Sequence, residues 1–235
     1  MAEKRISRKE LVKEPDEFIS STGRVISYIR EHPNHATAAL AVVLTVAIAI
    51  SGYIWVQNRQ SIRSHKVFEQ AVQAYETTVQ SGEMPSAEKL DQLFSAFDEI
   101  ATDYPSSPAG EEALLYTGHV LYWKKDYQGA LDRYSRMQSS NLVKKGLGPM
   151  VLYHIANTRL AMKDYDQAVV LFYELTKDTN SPYKREAYAS VARIYELMNK
   201  NKEALQAFRQ YLKLFPEAPD APYVRARIAE LSAQG

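Results

Sequence analysis

The 235-residue chain has no cysteine, nine glycines and ten prolines, and its charges cancel to a net +1. Without cysteine there is no disulfide framework, no thiolate metal site and no cysteine nucleophile. Sparse glycine and proline, with Ala, Leu, Tyr and Glu recurring throughout, favour an all-α fold over a strand-rich one. A net charge this small gives no electrostatic footprint for nucleic acid. From Gln57 onward 22 basic residues face 22 acidic ones, so no overall field steers an anionic ligand.

Signatures of chemistry are also missing. There is no Gly-rich phosphate loop and no His-Glu-x-x-His pattern. His32 and His35, in the stretch HPNH, have no third ligand nearby and read as a capping turn. His119 and His154 fall on separate helical segments, with no serine or carboxylate fixed beside either by spacing. The adjacent acids Glu111 and Glu112 read as solvated helix surface, since neighbours in a helix face different directions. These absences predict no catalytic residue, no metal site and no cofactor.

The strongest positive signal is one long apolar run. Ala36–Val56, ATAALAVVLTVAIAISGYIWV, is 21 residues without a charge. At 1.5 Å per residue it is roughly 30 Å long, the thickness of a bilayer core. Tyr53 and Trp55 lie at one end, where amphipathic aromatics favour the headgroup region. A 35-residue leader precedes the run, which exceeds the usual apolar segment of a removable signal peptide. The small-x-small triplet Ala47-Ile48-Ala49 lies inside it, so an uncleaved anchor is expected. Seven Lys/Arg stand before the run, but only Arg24 and Arg30 are close to it, against Arg59, Arg63 and Lys66 beyond. The preferred orientation keeps the short basic tail inside and the long domain outside.

The rest divides into a charged tail (1–35), the span (36–56) and a helical domain (57–235). In the tail, Phe18, Ile19, Val25, Ile26 and Ile29 follow helical spacing after Asp16 and Glu17, as in a helix lying on a membrane surface, although Gly23 interrupts the pattern and a fraying tail fits nearly as well. Gln57–Gln80 has neither Gly nor Pro. There Phe68, Ala71, Val72, Tyr75 and Val79 mark a helical face that continues the span. The first break is SGEMPS at Ser81–Ser86, whose last serine suits a helix cap.

Downstream, one pattern recurs. KDYQGALDRY at Lys125–Tyr134 returns as KDYDQAVVLF at Lys163–Phe172 and as KNKEALQAF at Lys200–Phe208. Aligned on Ala130, Ala168 and Ala204, the copies are 38 and 36 residues apart. Each alanine is followed four residues later by Tyr134, Phe172 or Phe208 and preceded by twelve with Gly118, Ala156 or Ala192. Sixteen before come Leu114, Leu152 and Tyr188. The spacing suits antiparallel helix pairs: a small residue lets the second helix approach, its alanine fills the notch, and the aromatic wedges against the next pair. A single pair cannot bury its apolar face, so copies must stack. Leu93 and Phe97 mark a degenerate earlier copy, Pro216 closes the last, and Pro222–Gln234 offers a capping helix.

These positions resemble the tetratricopeptide repeat (TPR) family over roughly Gln60–Gln234, at a period slightly above the family's 34 or so. The departures are a Trp missing from its family position in every repeat, Arg159 at a usually apolar site and a polar Thr117. The resemblance implies a right-handed α-solenoid of about four helix pairs plus a cap, with the first helices lining a concave binding face. Family groove positions fall on Glu112, Leu115, His119, Tyr122 and Trp123, then Met150, Tyr153, Asn157 and Leu160, then Glu186, Arg193, Glu196 and Leu197. Several of these positions also suit interhelix packing, Leu115, Leu160 and Leu197 above all. Leu115 and His119 stand where the carboxylate-clamping members of the family use Lys and Asn, so that activity does not transfer. The layout of tail, span and repeats is similar to the ancillary subunit of the bacterial SecYEG translocon. By analogy this implies an inner-membrane protein with a periplasmic repeat domain, whose partners would be translocon subunits, periplasmic chaperones or emerging polypeptides, besides the lipid bilayer. An envelope coordinator or assembly factor is the alternative, an enzyme or enzyme-regulatory domain the remote one. An open terminal repeat also allows self-association.

Overall fold

The computed structural model describes residue 23 and residues 26–179 and 181–233, the side chain of residue 57 excepted. The chain divides into two compact units, 1–58 and 59–235.

In the first unit the expected amphipathic stretch lies mostly outside the described residues, and its end, 26–31, is helical. Helix α1 (Pro33–Gln80) then begins and runs unbroken through the apolar run, as the lack of Gly and Pro after residue 56 predicts. Apolar side chains from Leu40 to Val56 are exposed, Ile48 to 73%. The His32 and His35 rings stack at 5.5 Å, and both residues are exposed.

Among the described residues the second unit holds four helix pairs and a cap. The last part of α1 lies against α2 (Ala87–Asp103) through Phe68 and Tyr75 on Phe97, while α3 (Pro108–Trp123) packs with α4 (Tyr127–Met137), α5 (Gly148–Ala161) with α6 (Tyr165–Lys177), and α7 (Lys184–Leu197) with α8 (Asn201–Leu214). Helix α9 (Ala221–Ala233) closes the stack. From α2 onward helices pack mainly on their chain neighbours, the contact order of a solenoid. Ser86 caps α2 by accepting from Lys89 N, Ser107 caps α3 from Gly110 N, and Asp126 caps α4 from Gly129 N.

The repeat positions form the core. Ala130, Ala156, Ala168, Ala192 and Ala204 are fully buried, as are Phe97, Phe172, Tyr134 and Phe208 to within 1%. The notch at Gly118, however, is met by Tyr134 rather than by Ala130 as the spacing suggests. A Cβ at Gly118 would run into that ring, so glycine supplies the depth for a phenol.

The turns inside the pairs share one geometry. Lys125, Lys163 and Asn199 all have φ near +60° (61°, 62° and 58°). Each is followed by an N–H that reaches back five residues: Asp126 to Leu121 O, Asp164 to Arg159 O, Lys200 to Tyr195 O. This is a left-handed helix stop repeated three times, without glycine.

Between α4 and α5 the chain kinks over Val143–Leu147, where Gly146 takes φ 117°. Glu111 holds the start of this connection. Its carboxylate accepts from Asn141 N, Asn141 Nδ2 and Leu142 N at 3.1–3.2 Å. Glu111 is only 9% exposed, which corrects its reading as solvated surface. Three N–H donors offset the cost of burying the carboxylate.

Candidate partner-binding groove

Three consecutive helices, α3, α4 and α5, bring aromatic residues to one place, with Tyr75 of α1 added from the preceding pair. From α3 come His119, Tyr122 and Trp123, one turn apart on one face, and from α5 come Tyr153, His154 and Asn157. Tyr134 reaches in from α4. Together they line a cavity of about 270 Å³.

A hydrogen-bonded chain runs through its wall. Tyr75 Oη lies 3.3 Å from His119 Nδ1, and His119 Nε2 lies 3.2 Å from His154 Nε2. One imidazole must donate and the other accept, so the two rings cannot both be protonated. Burial pushes His119 down to about 3, helped by the neighbouring His154. Burial alone pushes His154 down to about 4. Burial also raises Tyr75 to about 12, with Tyr116 adding to it, and raises Tyr122, with Tyr127 and Tyr153 adding to it. At neutral pH no lining residue carries a charge.

The rings order one another. Tyr75 and Trp123 stack at 5.1 Å with planes 8° apart. His154 stacks on Tyr134 at 5.4 Å, and Tyr153 on Tyr183 at 4.6 Å. Such contacts contribute about 0.5–1.5 kcal/mol each beyond area burial.

Of the groove positions read from the sequence, His119, Tyr122, Trp123, Tyr153 and Asn157 meet at this cavity. Leu115 is buried in the core and Met150 packs against it. Glu112 is half-buried at the start of α3, its carboxyl raised by burial against a lowering by His65. Leu160 packs on the second core cluster, and Leu197 is exposed. Glu186 pairs with Arg185, Arg193 donates to Ser190 Oγ at 3.3 Å, and Glu196 pairs with Arg227 of α9. The fourth-pair residues thus lie away from the aromatic cavity.

Three lining residues are not among the sequence candidates. Tyr75 precedes the aligned copies, and spacing assigns Tyr134 to packing alone. His154 is one turn upstream of the position equivalent to His119. A larger groove, about 420 Å³, lies between α1 and α2 at the end of the stack, with Ala71, Ala74 and Ala96 among its lining residues. Among the described residues no three His, Asp or Glu converge as a metal site would require.

Antiparallel helix pairs of this length, stacked in chain order with a small residue facing an aromatic, define the class of TPR solenoids. The sequence profile of the tetratricopeptide repeat-like domain family matches residues 27–233, and the chain belongs to that family. Solved structures agree in fold. A tetratricopeptide repeat protein from Parabacteroides merdae is similar at 16% identity with a TM-score of 0.55, covering 72% of this chain and 61% of that one. Pseudomonas aeruginosa PilF is similar at 18% identity with a TM-score of 0.54, covering 73% and 70%. The kinesin light chain nearly identical TPR-like repeats from Podosopora anserina are similar at 13% identity with a TM-score of 0.54, covering 72% and 85%. At these identities the likeness is one of fold. No curated protein matches the sequence.

Proposed function

We propose that this protein is a membrane-anchored, non-enzymatic scaffold of the bacterial cell envelope, which holds polypeptide partners in the first-helix groove of its repeats. The observation that carries the reading is the uncharged aromatic cavity, lined chiefly by residues of the first helices α3 and α5. Tyr and Trp are enriched where proteins bind proteins, because they bring large apolar area with a polar handle. The TPR family supports an interaction role in general. The exposed apolar segment of α1 supports anchoring, since apolar side chains on every face of a helix need a lipid or protein cover. The helix is long and apolar enough to cross a membrane. In this reading the repeat domain is periplasmic and serves the translocon and its chaperones, or coordinates another envelope assembly.

Photocrosslinking decides the binding face. A photoreactive residue at Tyr122 or Tyr153 captures partner chains, whereas one at Val170, exposed to 61% on α6, does not. Capture from Val170 alone would remove the groove reading. A C-terminal alkaline phosphatase fusion is active if the repeats are periplasmic, and an inactive fusion reverses the topology. Copurification with translocon subunits separates the translocon role from the coordinator role.

A further inference from the structure

The aromatic cavity has a more specific chemistry than a general protein-binding surface. Its volume of about 270 Å³ falls at or below the lower end of small-molecule pockets, roughly 300–1,000 Å³. That is room for one side chain rather than for a folded ligand. None of the eight lining residues is charged at neutral pH, so a carboxylate or ammonium entering would lose its hydration without gaining an ion pair. A cation cage is also disfavoured by ring geometry. Such cages need open ring faces converging on one point, and here Tyr75 on Trp123 and Tyr134 on His154 each close one face of their rings. Ring edges carry the positive end of the aromatic quadrupole and attract the face of another ring.

Polar groups in the wall set a second condition. Asn157 Nδ2 donates to Tyr153 O at 2.8 Å, a bond that does not use the acceptor oxygen of that amide. Tyr122, Tyr153 and Asn157 all line the cavity, so its wall carries phenol and amide groups among the rings. A purely aliphatic guest would strip water from these groups and return nothing.

We infer that the cavity is a side-chain pocket for one tyrosine or tryptophan of an extended partner polypeptide, whose hydroxyl or indole N–H donates to Asn157 Oδ1. The inference rests on the groove reading above and adds the residue class that the groove selects.

The chain has two tryptophans, Trp55 and Trp123, which gives a direct readout. In the full chain in detergent, Trp55→Phe leaves Trp123 as the sole indole, stacked in the pocket wall. The probes are seven-residue Gly-Ser peptides with tyrosine, phenylalanine, leucine or lysine at the centre. Titration of Trp123 fluorescence is expected to rank tyrosine first. Phenylalanine should bind about 2–10-fold more weakly, for the lost hydrogen bond, and lysine more than about 10-fold more weakly, for the buried charge. Asn157→Ala should remove the preference for tyrosine over phenylalanine while both still bind. Tyr122→Phe, which keeps the ring, should preserve the ranking of aromatic over leucine. Lysine binding best would overturn the proposal in favour of a cation cage. Equal binding of all four peptides would end the pocket but leave the groove reading standing. No binding by any probe, with crosslinks only from Val170, would end both.

Discussion

Gly118 and Tyr134 share one volume. A Cβ on Gly118 would stand 2.4 Å from Tyr134 Cε1 and 2.8 Å from two further ring carbons. Tyr134 is 1% exposed, so its ring cannot retreat into solvent. Gly118→Ala should therefore destabilise the domain although alanine favours helix. Overpacking costs about 1–3 kcal/mol, and helix propensity returns about 1 kcal/mol of it. We expect a net loss of about 1 kcal/mol, a fall in Tm of roughly 2–4 °C for a domain of this size. Adding Tyr134→Leu should make the pair of changes less than additive, because the alanine would then fill space that leucine leaves. Full additivity would mean that the two residues do not share the space.

The three left-handed residues Lys125, Lys163 and Asn199 invite the opposite kind of change. Non-glycine residues at φ near +60° carry strain of about 1–2 kcal/mol, least for asparagine. Lys125→Gly and Lys163→Gly should each raise stability by about 0.5–1 kcal/mol, after the entropy that glycine adds to the unfolded chain. Asn199→Gly should gain less. Chemical denaturation of the three variants checks the order. Equal gains would show that side-chain type does not matter at this turn.

The repeat was legible in the sequence because it depends on local spacing: Ala130, Ala168 and Ala204 carry the register, and all three are buried as expected. Ser86 was legible as a cap for the same reason, its partner being three residues away. Glu111 was not. Its carboxylate serves a turn 30 residues downstream, and nothing in Glu111-Glu112 distinguishes the buried acid from its half-buried neighbour. The cavity was half legible. Family register named the α3 and α5 residues, but His154 meets His119 only because adjacent first helices are staggered by about a turn. That offset is a property of the stack, not of either segment.

The histidine pair makes stability depend on pH in a fixed direction. Both rings are held below the ordinary value of 6.5, to about 3 for His119 and about 4 for His154, by burial. Between those values and 6.5 the unfolded chain binds more protons than the folded one, so stability is fully present above pH 6.5 and is lost as pH falls towards 4. The slope reaches about 1.4 kcal/mol per pH unit for each ring. Glu112, raised by burial, acts in the opposite sense, so the comparison is variant against wild type. His119→Gln with His154→Gln should flatten the fall in Tm between pH 6.5 and 4.5. An unchanged slope would mean that the rings already carry protons in the fold.

The capping helix α9 is tied to the last repeat by charge as well as by Val224 and Leu231. Arg227 pairs with Glu196 of α7 and with Glu230 on its own helix. Asp220 accepts from the Tyr211 hydroxyl and from Arg185, the latter at 3.3 Å. The Arg227–Glu196 pair is partly buried, with side chains 33% and 17% exposed. Removing it by Arg227→Gln should cost no more than about 1 kcal/mol of global stability. Its local effect should be larger and confined. In a solenoid each pair leans only on its neighbours, so loosening one end does not loosen the other. Hydrogen exchange should quicken in α9 and at the end of α8 while α2–α4 remain as protected as in wild type. Equal acceleration along the whole stack would show that the four pairs open as one cooperative unit, and that the cap holds the far repeats as firmly as the near one.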